Sequence, residues 1–306
     1  MSAARCASRL AAVVAGALLA APAAHAELYY LIVGGLGGEA KYQEQFDKEV
    51  KELAAVARRT TGDARVMVLS GEGATREAIV KSLGSLRTRM KAVDTLAVFL
   101  IGHGSYDGES YKLNLPGPDI DGESFGKLLA ALPARSQLIV NTTSASGAVL
   151  ESWAANGRIV VTATRSGFER NATRFAEHWA AALADGSADI NKNGVITAQE
   201  AFDYASRETA DSFKRAGALA TEHPQLAGGA PTRFTVARLQ AQTVLAATPE
   251  LAALNAQKEK LDGEIEALRL RRTEMGNDEY LNALQSLLVQ LAQVQGRIDA
   301  AQGGQQ

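Results

Sequence analysis

The chain has 306 residues, 46% of them hydrophobic, with 32 basic and 34 acidic side chains and a net charge of −2. That supports one sizeable core, or one domain with an appendage. The near-balance of charge excludes a bulk electrostatic attraction to nucleic acid or to an anionic membrane, so neither is expected as a partner.

Residues 1–26 carry Arg5 and Arg9, the apolar run LAAVVAGALLAA and the small-residue site Ala24-His25-Ala26. This is the pattern of an export signal, cleaved ahead of Glu27. The apolar run is shorter than the roughly 20 residues that a spanning helix needs. No integral membrane segment is therefore expected after signal removal, and the expected location is the periplasm or the medium. Cys6, the only cysteine, lies ahead of the apolar run. The mature chain is thus expected to hold no disulfide, no thiolate metal site and no cysteine nucleophile.

From residue 27 onward, apolar runs at 28–35, 64–71, 95–102, 137–143 and 158–164 alternate with helical patterns near 40–60, 74–91, 122–132 and 146–155. The runs are continuous, as in strands covered on both faces. Strict alternation predicts an α/β fold, a three-layer sandwich around a mainly parallel sheet, over residues 27–245.

In such a sheet, functional side chains collect beyond the carboxyl ends of the strands. The first such end, GGLGGEA, can be forced into a dinucleotide fingerprint through Gly35, Gly37 and Ala40. The next strand lacks the acidic terminus that would hold a ribose. The glycines are instead expected to make a tight turn, or a wall that a ligand backbone can approach. The third strand ends in GHGSYDG, where His103 stands between two glycines and is expected to project into solvent, with Gly104 and Ser105 behind it. The fourth ends in NTTSASG, which brings Thr142, Thr143, Ser144 and Ser146 to one strand end.

The order LAVFLIGHGS, LIVNTTSASGAVL, GRIVVTAT resembles the clan CD cysteine peptidases, the caspase and legumain group, over roughly residues 28–215. The resemblance implies a caspase-like fold. It implies that His103 matches the catalytic histidine, Gly104 an oxyanion-binding glycine, and Ser144 the nucleophilic cysteine within a Cys-x-Ser-Gly pattern. It implies a substrate groove at Gly35, Gly37, Ser105, Thr143 and Ser146. The departure is chemical: a thiol ionises readily beside a histidine, whereas a serine hydroxyl requires a well-oriented general base. A serine triad would add a carboxylate to orient the histidine. Asp107 is the only nearby candidate, and it suits turn chemistry equally. Three readings of Ser144 stay open: an inert residue in a binding groove, a nucleophile with His103 as base, or a helix cap with the other hydroxyls.

The stretch DINKNGVITAQE fits the twelve-residue calcium loop without a gap. Asp189, Asn191 and Asn193 fall at positions 1, 3 and 5, Gly194 at the sharp turn, Val195 at 7, Thr197 at 9 and Glu200 at 12. Helical patterns flank it. Only Asp189 and Glu200 bring charge, and Lys192 opposes them, which argues for weak, structural calcium binding at about 10⁻⁴ to 10⁻³ M. His178 is expected to be a partly buried helix residue and His223 loop punctuation.

Residues 216–233 read as a loop, followed by a short strand or helix at FTVARLQ. Thr248 and Pro249 then cap and open a helix. Leu251, Leu254, Leu261, Ile265, Leu268 and Met275, then Leu281, Leu284, Leu288, Leu291 and Ile298, keep a 3–4 spacing around Gly276-Asn277-Asp278. This predicts a coiled-coil hairpin over 246–302, packed on the main domain or acting as an arm for a protein partner or for self-association. Lys258 and Arg272 sit at seam positions and argue against purely internal pairing.

Taken together, the sequence points to an exported, calcium-binding, catalytically degenerate peptidase homologue with a peptide groove. Its rivals are an active serine hydrolase and a coiled-coil scaffold.

Overall fold

The computed structural model describes residues 26–239 and 249–303. The expected export signal, the Thr248 cap and the end of the tail lie outside the described residues.

In chain order the elements are β1 (Leu28–Gly34), α1 (Ala40–Thr61), β2 (Val66–Leu69), α2 (Arg76–Arg89), β3 (Thr95–Ile101), β4 (Gly104–Tyr106), β5 (Tyr111–Leu113), β6 (Ile120–Asp121), α3 (Gly122–Ala130) and β7 (Ser136–Asn141). Then follow α4 (Leu150–Trp153), β8 (Arg158–Thr162), α5 (Phe175–Ala184), β9 (Val195–Thr197), α6 (Ala198–Arg215), β10 (Gln225–Ala227), β11 (Thr235–Arg238), α7 (Pro249–Leu270) and α8 (Asn277–Gly303). Six strands form the main sheet in the order β10-β8-β7-β3-β1-β2. All its pairings are parallel except that of β10 with β8.

The two-sided burial that the apolar runs demanded is present. Tyr30, Ile32, Phe99, Val140 and Val161 enter the core under α1, α5 and α6. Their alternates Leu31, Val33, Val98, Ile139 and Val160 enter a second core with Ile79, Leu83, Phe125 and Trp153, under α2, α3 and α4. The chain starts at β1, adds β2 on one side, and crosses back to β3 on the other. The strand order therefore reverses between β1 and β3, which in an open α/β sheet is where functional loops gather at the carboxyl ends.

Three expectations change, and one open alternative is resolved. The helix expected at 146–155 is a 3₁₀ turn, Ser146–Val149, followed by a single turn, α4. Hydrogen bonds divert the chain here, because the Gly147 amide donates to Thr164 Oγ1 at 2.8 Å. The loop expected at 216–233 contains β10, which closes the sheet edge antiparallel to β8. The loop after His103 forms a small sheet, β4-β5-β6, whose strands are too short to show a periodicity. Residues 235–238 are a strand, β11, paired with β9.

The C-terminal hairpin forms as expected, with Leu251, Leu254, Leu261, Val294 and Ile298 at its centre. Its α8 seam differs. Leu281 and Leu288 are exposed, whereas Tyr280 and Val294 are buried and Leu287, Leu291 and Ala301 pack on the centre. Positions 280, 284, 287, 291, 294, 298 and 301 keep a true 4–3 alternation, which Leu281 and Leu288 do not share. The link runs through Arg272–Glu274, and Asn277 already belongs to α8. Nor do the two seam cations oppose the pairing. Lys258 Nζ donates to Gln295 Oε1 at 2.8 Å, and the Arg272 guanidinium lies 5.4 Å from the Tyr280 ring centre.

Glu49, on the buried face of α1, accepts from Gln45 Nε2 at 2.8 Å, and its other oxygen has no partner among the described residues. Burial pushes its carboxyl up to about 7. The unfolded chain ionises near 4.3, so the destabilisation grows as pH rises from about 4.5 to about 7 and is complete above that window. Glu49→Gln is expected to raise stability at pH 8 by roughly 1–3 kcal/mol and to leave it nearly unchanged at pH 4.5. Urea unfolding at the two pH values checks this; an equal effect at both would contradict it.

Candidate functional site at the carboxyl end of the sheet

Parallel pairing places Gly34 opposite Ile101, and Leu100 opposite Asn141. The loops after β1, β3 and β7 therefore leave the sheet side by side. The sequence assigned chemistry to all three.

His103 does not project freely into solvent. It is half-buried, with its ring edge-on between Tyr42, at 5.0 Å, and Phe46, at 5.1 Å. Its Nε2 lies 3.1 Å from the Gly37 carbonyl oxygen. A carbonyl only accepts, so Nε2 carries the proton and Nδ1 is the basic nitrogen. The start of α1, folding over the sheet end, supplies this cover. Asp107 does not orient His103: it accepts from Glu109 N at 3.0 Å and Ser110 N at 2.8 Å. Those turn bonds hold its carboxyl below the usual range.

Gly35 and Gly37 are buried, and neither offers its backbone to a ligand. A Cβ on Gly35 would stand 2.7 Å from the Asn114 carbonyl oxygen, and one on Gly37 would stand 2.3 Å from Gln43 N. The tight turn is the reading that holds, and its product is the Gly37 carbonyl beside His103. Ser105 is exposed, with Oγ donating to Asn114 Oδ1 at 3.3 Å.

Gly104 touches the other half of the site. A Cβ there would lie 2.4 Å from the Ser144 carbonyl oxygen and 2.6 Å from Thr143 Oγ1. Asn114 N donates to His103 O at 3.0 Å, making that a hydrogen-bonded pair of the β4–β5 ladder. The next pair, Gly104 and Leu113, is then non-bonded. The Gly104 N–H thus stands outside the ladder, available to a ligand oxygen.

The hydroxyls after β7 divide into two kinds. Thr142 Oγ1 donates to Leu100 O at 2.9 Å. Thr143 Oγ1 lies 2.6 Å from Tyr111 OH and donates to Asn141 Oδ1 at 2.9 Å. Ser146 Oγ accepts from Ala163 N at 3.1 Å and Thr164 N at 3.2 Å. These three are internal fasteners, so Thr143 and Ser146 do not line a groove. Nor do the hydroxyls cap a helix, because the residue at the N-cap of the 3₁₀ turn is Ala145.

Ser144 is the exception. It is 3% exposed and its hydroxyl makes no hydrogen bond among the described residues, with His103 or any other group. Buried partnerless side-chain atoms occur on Glu49, His178, Trp179, Ser206 and Thr209, but not on Ser144. The small exposed part of Ser144 is therefore its hydroxyl. Directly after it Ala145 adopts φ 58°, a left-handed conformation that costs a residue with Cβ roughly 1–2 kcal/mol. The Ala145 amide is held by the Glu169 carbonyl at 2.8 Å.

That contact introduces groups that periodicity did not reveal. Glu169 Oε1 lies 2.6 Å from His223 Nδ1 and 3.0 Å from Arg165 Nε. His223 is thus a hydrogen-bond partner of Glu169, not loop punctuation. Phe168 is 69% exposed and stands edge-on to Tyr106 at 5.5 Å, with the Arg170 guanidinium 5.7 Å from its ring centre. Residues 165–170 pack against β4 beside Ser144, through Phe168 and Gly167 on Tyr106. His223 is 54 residues from Glu169, so only the antiparallel β10, itself unforeseen, brings them together. His178 is half-buried in α5 as expected, and burial lowers its pKa.

The calcium-loop residues also assemble, far from this end of the sheet in sequence and on separate elements. Asp189 and Glu200 are buried. Asp189 accepts from Asn193 N at 3.1 Å and Gly194 N at 3.0 Å, with Gly194 at φ 78°. Glu200 pairs with Thr197 in a capping box and accepts from Asn191 Nδ2 at 3.1 Å. The turn geometry, a central strand residue and a carboxylate in the first turn of the next helix are those of a helix–loop–helix cation loop. Among the described residues no three His, Cys, Asp or Glu side chains converge. The donor set is two carboxylates with amide, hydroxyl and carbonyl oxygens, which suits a hard cation.

No family model and no curated protein matches the chain. Among solved structures it is similar to a structural-genomics protein of Geobacter sulfurreducens, with 10% identity and a TM-score of 0.45, covering 67% of this chain and 94% of that one. It is also similar to the Drosophila initiator caspase Dronc, with 9% identity and a TM-score of 0.41, covering 66% of this chain and 79% of that one.

The division of the hydroxyls has a direct stability signature. Tyr111→Phe removes a buried hydroxyl bonded to Thr143 and Asn141, and should cost roughly 1–3 kcal/mol. Ser144→Ala removes a hydroxyl with no partner among the described residues, and should stay within about 0.5 kcal/mol of the parent. Denaturant titration of the two variants checks the pair, and equal costs would contradict it.

Proposed function

We propose that the chain is an exported caspase- and legumain-like protein that has lost peptidase chemistry and retains a groove for an extended peptide or protein segment, stiffened by calcium. The observation that carries this is the state of Ser144. Among the described residues its hydroxyl is hydrogen-bonded to no base: the Nε2 of His103 is bonded to the Gly37 carbonyl, and Asp107 is taken up by its own turn. A serine hydroxyl requires such a base to attack a carbonyl, whereas a thiol ionises far more readily. The segment would lie across His103, Gly104, Ser105 and Ser144, with Tyr106, Phe168 and Arg170 as its banks. Phe168, exposed and apolar, suits an aromatic or aliphatic side chain of the bound segment.

Export fits the first strand. Glu27 N donates to the buried Asp94 Oδ1 at 3.0 Å, and Thr95 N donates to Glu27 O at 2.9 Å. Cleavage after Ala26 would place the new α-ammonium beside that carboxylate. The hairpin carries Leu281, Leu288 and Val289 outward on α8, which supports a protein partner or self-association there.

An active serine hydrolase is the second reading, favoured by the solvent-reaching Ser144 hydroxyl and by the Gly104 N–H outside its ladder, placed to stabilise an oxyanion. A fluorophosphonate probe separates the two. The proposal expects no labelling of Ser144; labelling that disappears in His103→Ala would establish the hydrolase instead.

Calcium is proposed for the loop through Asp189, Asn191, Asn193, the Val195 carbonyl, Thr197 and Glu200. Millimolar calcium is expected to raise the melting temperature of the mature protein by a few degrees, and Glu200→Ala to abolish the rise. A rise that survives the substitution would place the ion elsewhere.

A further inference from the structure

Directly before β3, Asp94 is a carboxylate buried without a countercharge. It is 1% exposed. Its Oδ2 accepts from Lys91 N at 2.7 Å, which closes its own turn, and its Oδ1 accepts from Glu27 N at 3.0 Å, 67 residues away in the chain. Both donors are main-chain amides, and no cation pairs with the carboxylate among the described residues. A buried carboxylate held only by neutral donors keeps most of its desolvation cost, which an opposite charge in contact would offset.

The nitrogen that Oδ1 holds is the one that cleavage of the expected export signal would free. Hydrolysis of the Ala26–Glu27 amide by a signal peptidase consumes one water, leaves a carboxylate on Ala26 and an amine on Glu27, and at neutral pH that amine is protonated. Its position is fixed by the sheet: Thr95 N donates to Glu27 O at 2.9 Å, and the β1–β3 pairing begins at Leu28 and Thr95. Nor does the Glu27 side chain compete with Asp94, because it is paired with the Arg65 guanidinium.

We propose that removal of residues 1–26 completes an ion pair between the α-ammonium of Glu27 and Asp94, so that processing, rather than folding alone, gives the α/β domain its full stability. This rests on the export reading above. The same nitrogen changes from a neutral donor to a charged one, and charge-assisted hydrogen bonds are roughly twice as strong as neutral ones. Other charges act on this amine too. Arg58, Arg59, Arg65, Arg233 and Arg238 line the cavity of about 590 Å³ that Glu27 borders, with Arg58 paired to Asp63 and Arg65 to Glu27. Lys91 and Arg135, whose amides bond to Asp94, have exposed side chains. These cations act through solvent and are screened, whereas Asp94 is buried and in contact, so attraction sets the sign. The strand anchored in this way, β1, leads into the turn whose Gly37 carbonyl holds His103.

The test compares the full mature chain, released from a removable fusion so that it starts at Glu27, with the same chain preceded by Ala24-His25-Ala26. Three residues move the amine by up to about 10 Å. At pH 6.5 the mature chain is expected to unfold in urea with an equilibrium constant about 10-fold smaller, and Asp94→Asn to abolish the difference. The paired amine titrates above its ordinary value of about 7.7–8.0. The difference is therefore complete below that range and is lost as pH rises through the raised value. Where Asp94→Asn does not fold, acetylation of the α-amine by acetic anhydride reads the pair in the native chains. Its pH midpoint should lie at least about one pH unit higher in the chain that starts at Glu27. Equal unfolding constants at pH 6.5, or equal acetylation midpoints, would overturn the pair and leave the export reading standing. Amino-terminal sequencing of protein recovered after export tests that reading separately, and a start other than Glu27 would overturn the processing step itself.

Discussion

A Cβ on residue 104 would sit 2.4 Å from the Ser144 carbonyl oxygen, so the carboxyl end of the sheet closes only because residue 104 has none. The main-chain contact between the loops after β3 and β7 follows from the parallel pairing of those strands. It puts a histidine and a hydroxyl on neighbouring loops. It leaves the Gly104 N–H outside the small sheet, and it buries Thr143 against Tyr111. Burial pushes the Tyr111 phenol up to about 12, so it remains a neutral donor and acceptor throughout the range where the protein works. The site is therefore a rigid frame, locked from below by threonine and tyrosine hydroxyls.

Within that frame the chemistry is uneven. The histidine is oriented, its proton on Nε2 by the Gly37 carbonyl, and the Gly104 N–H stands outside the β4–β5 ladder. A serine does not ionise by itself, and the hydroxyl at 144 stands without a base or a carboxylate-backed histidine. The Glu169–His223 pair shows that the fold builds such a dyad, but on a neighbouring bank and fastened into the β10 edge. What remains at Ser144 is a nearly buried hydroxyl beside the glycine backbone of residue 104.

The strands were legible because β1, β3, β7 and β8 are buried on both faces, so the middle of each is a continuous apolar run. The turns of residues 189–200 were legible because these twelve residues specify their own hydrogen bonds. Three kinds of feature were not. Short antiparallel strands such as β4, β5 and β10 have too few residues for a period and depend on partners distant in sequence. The covering of His103 by Tyr42 and Phe46 is tertiary, since nothing in GHGS states that α1 will fold over it. The fate of each hydroxyl in NTTSASG depends on neighbours from three other segments, at Leu100, Tyr111 and 163–164, so four similar side chains became three fasteners and one idle group. In α8, leucines at 281 and 288 mimic a heptad, and the true seam is distinguished only by the longer unbroken alternation through Tyr280, Leu287 and Val294.

The central claim, a peptidase-like frame lacking only an ionisable nucleophile, is tested by placing that nucleophile in it. With Cys6 the only cysteine of the chain, and lying within the expected signal, Ser144→Cys gives a mature protein with a single thiol. The measurement is its alkylation rate by iodoacetamide as a function of pH, with and without His103→Ala. The account predicts a thiolate formed well below the ordinary thiol pKa of about 8.5, returning toward that value when His103 is removed. An ordinary thiol pKa that His103→Ala leaves unchanged would contradict it.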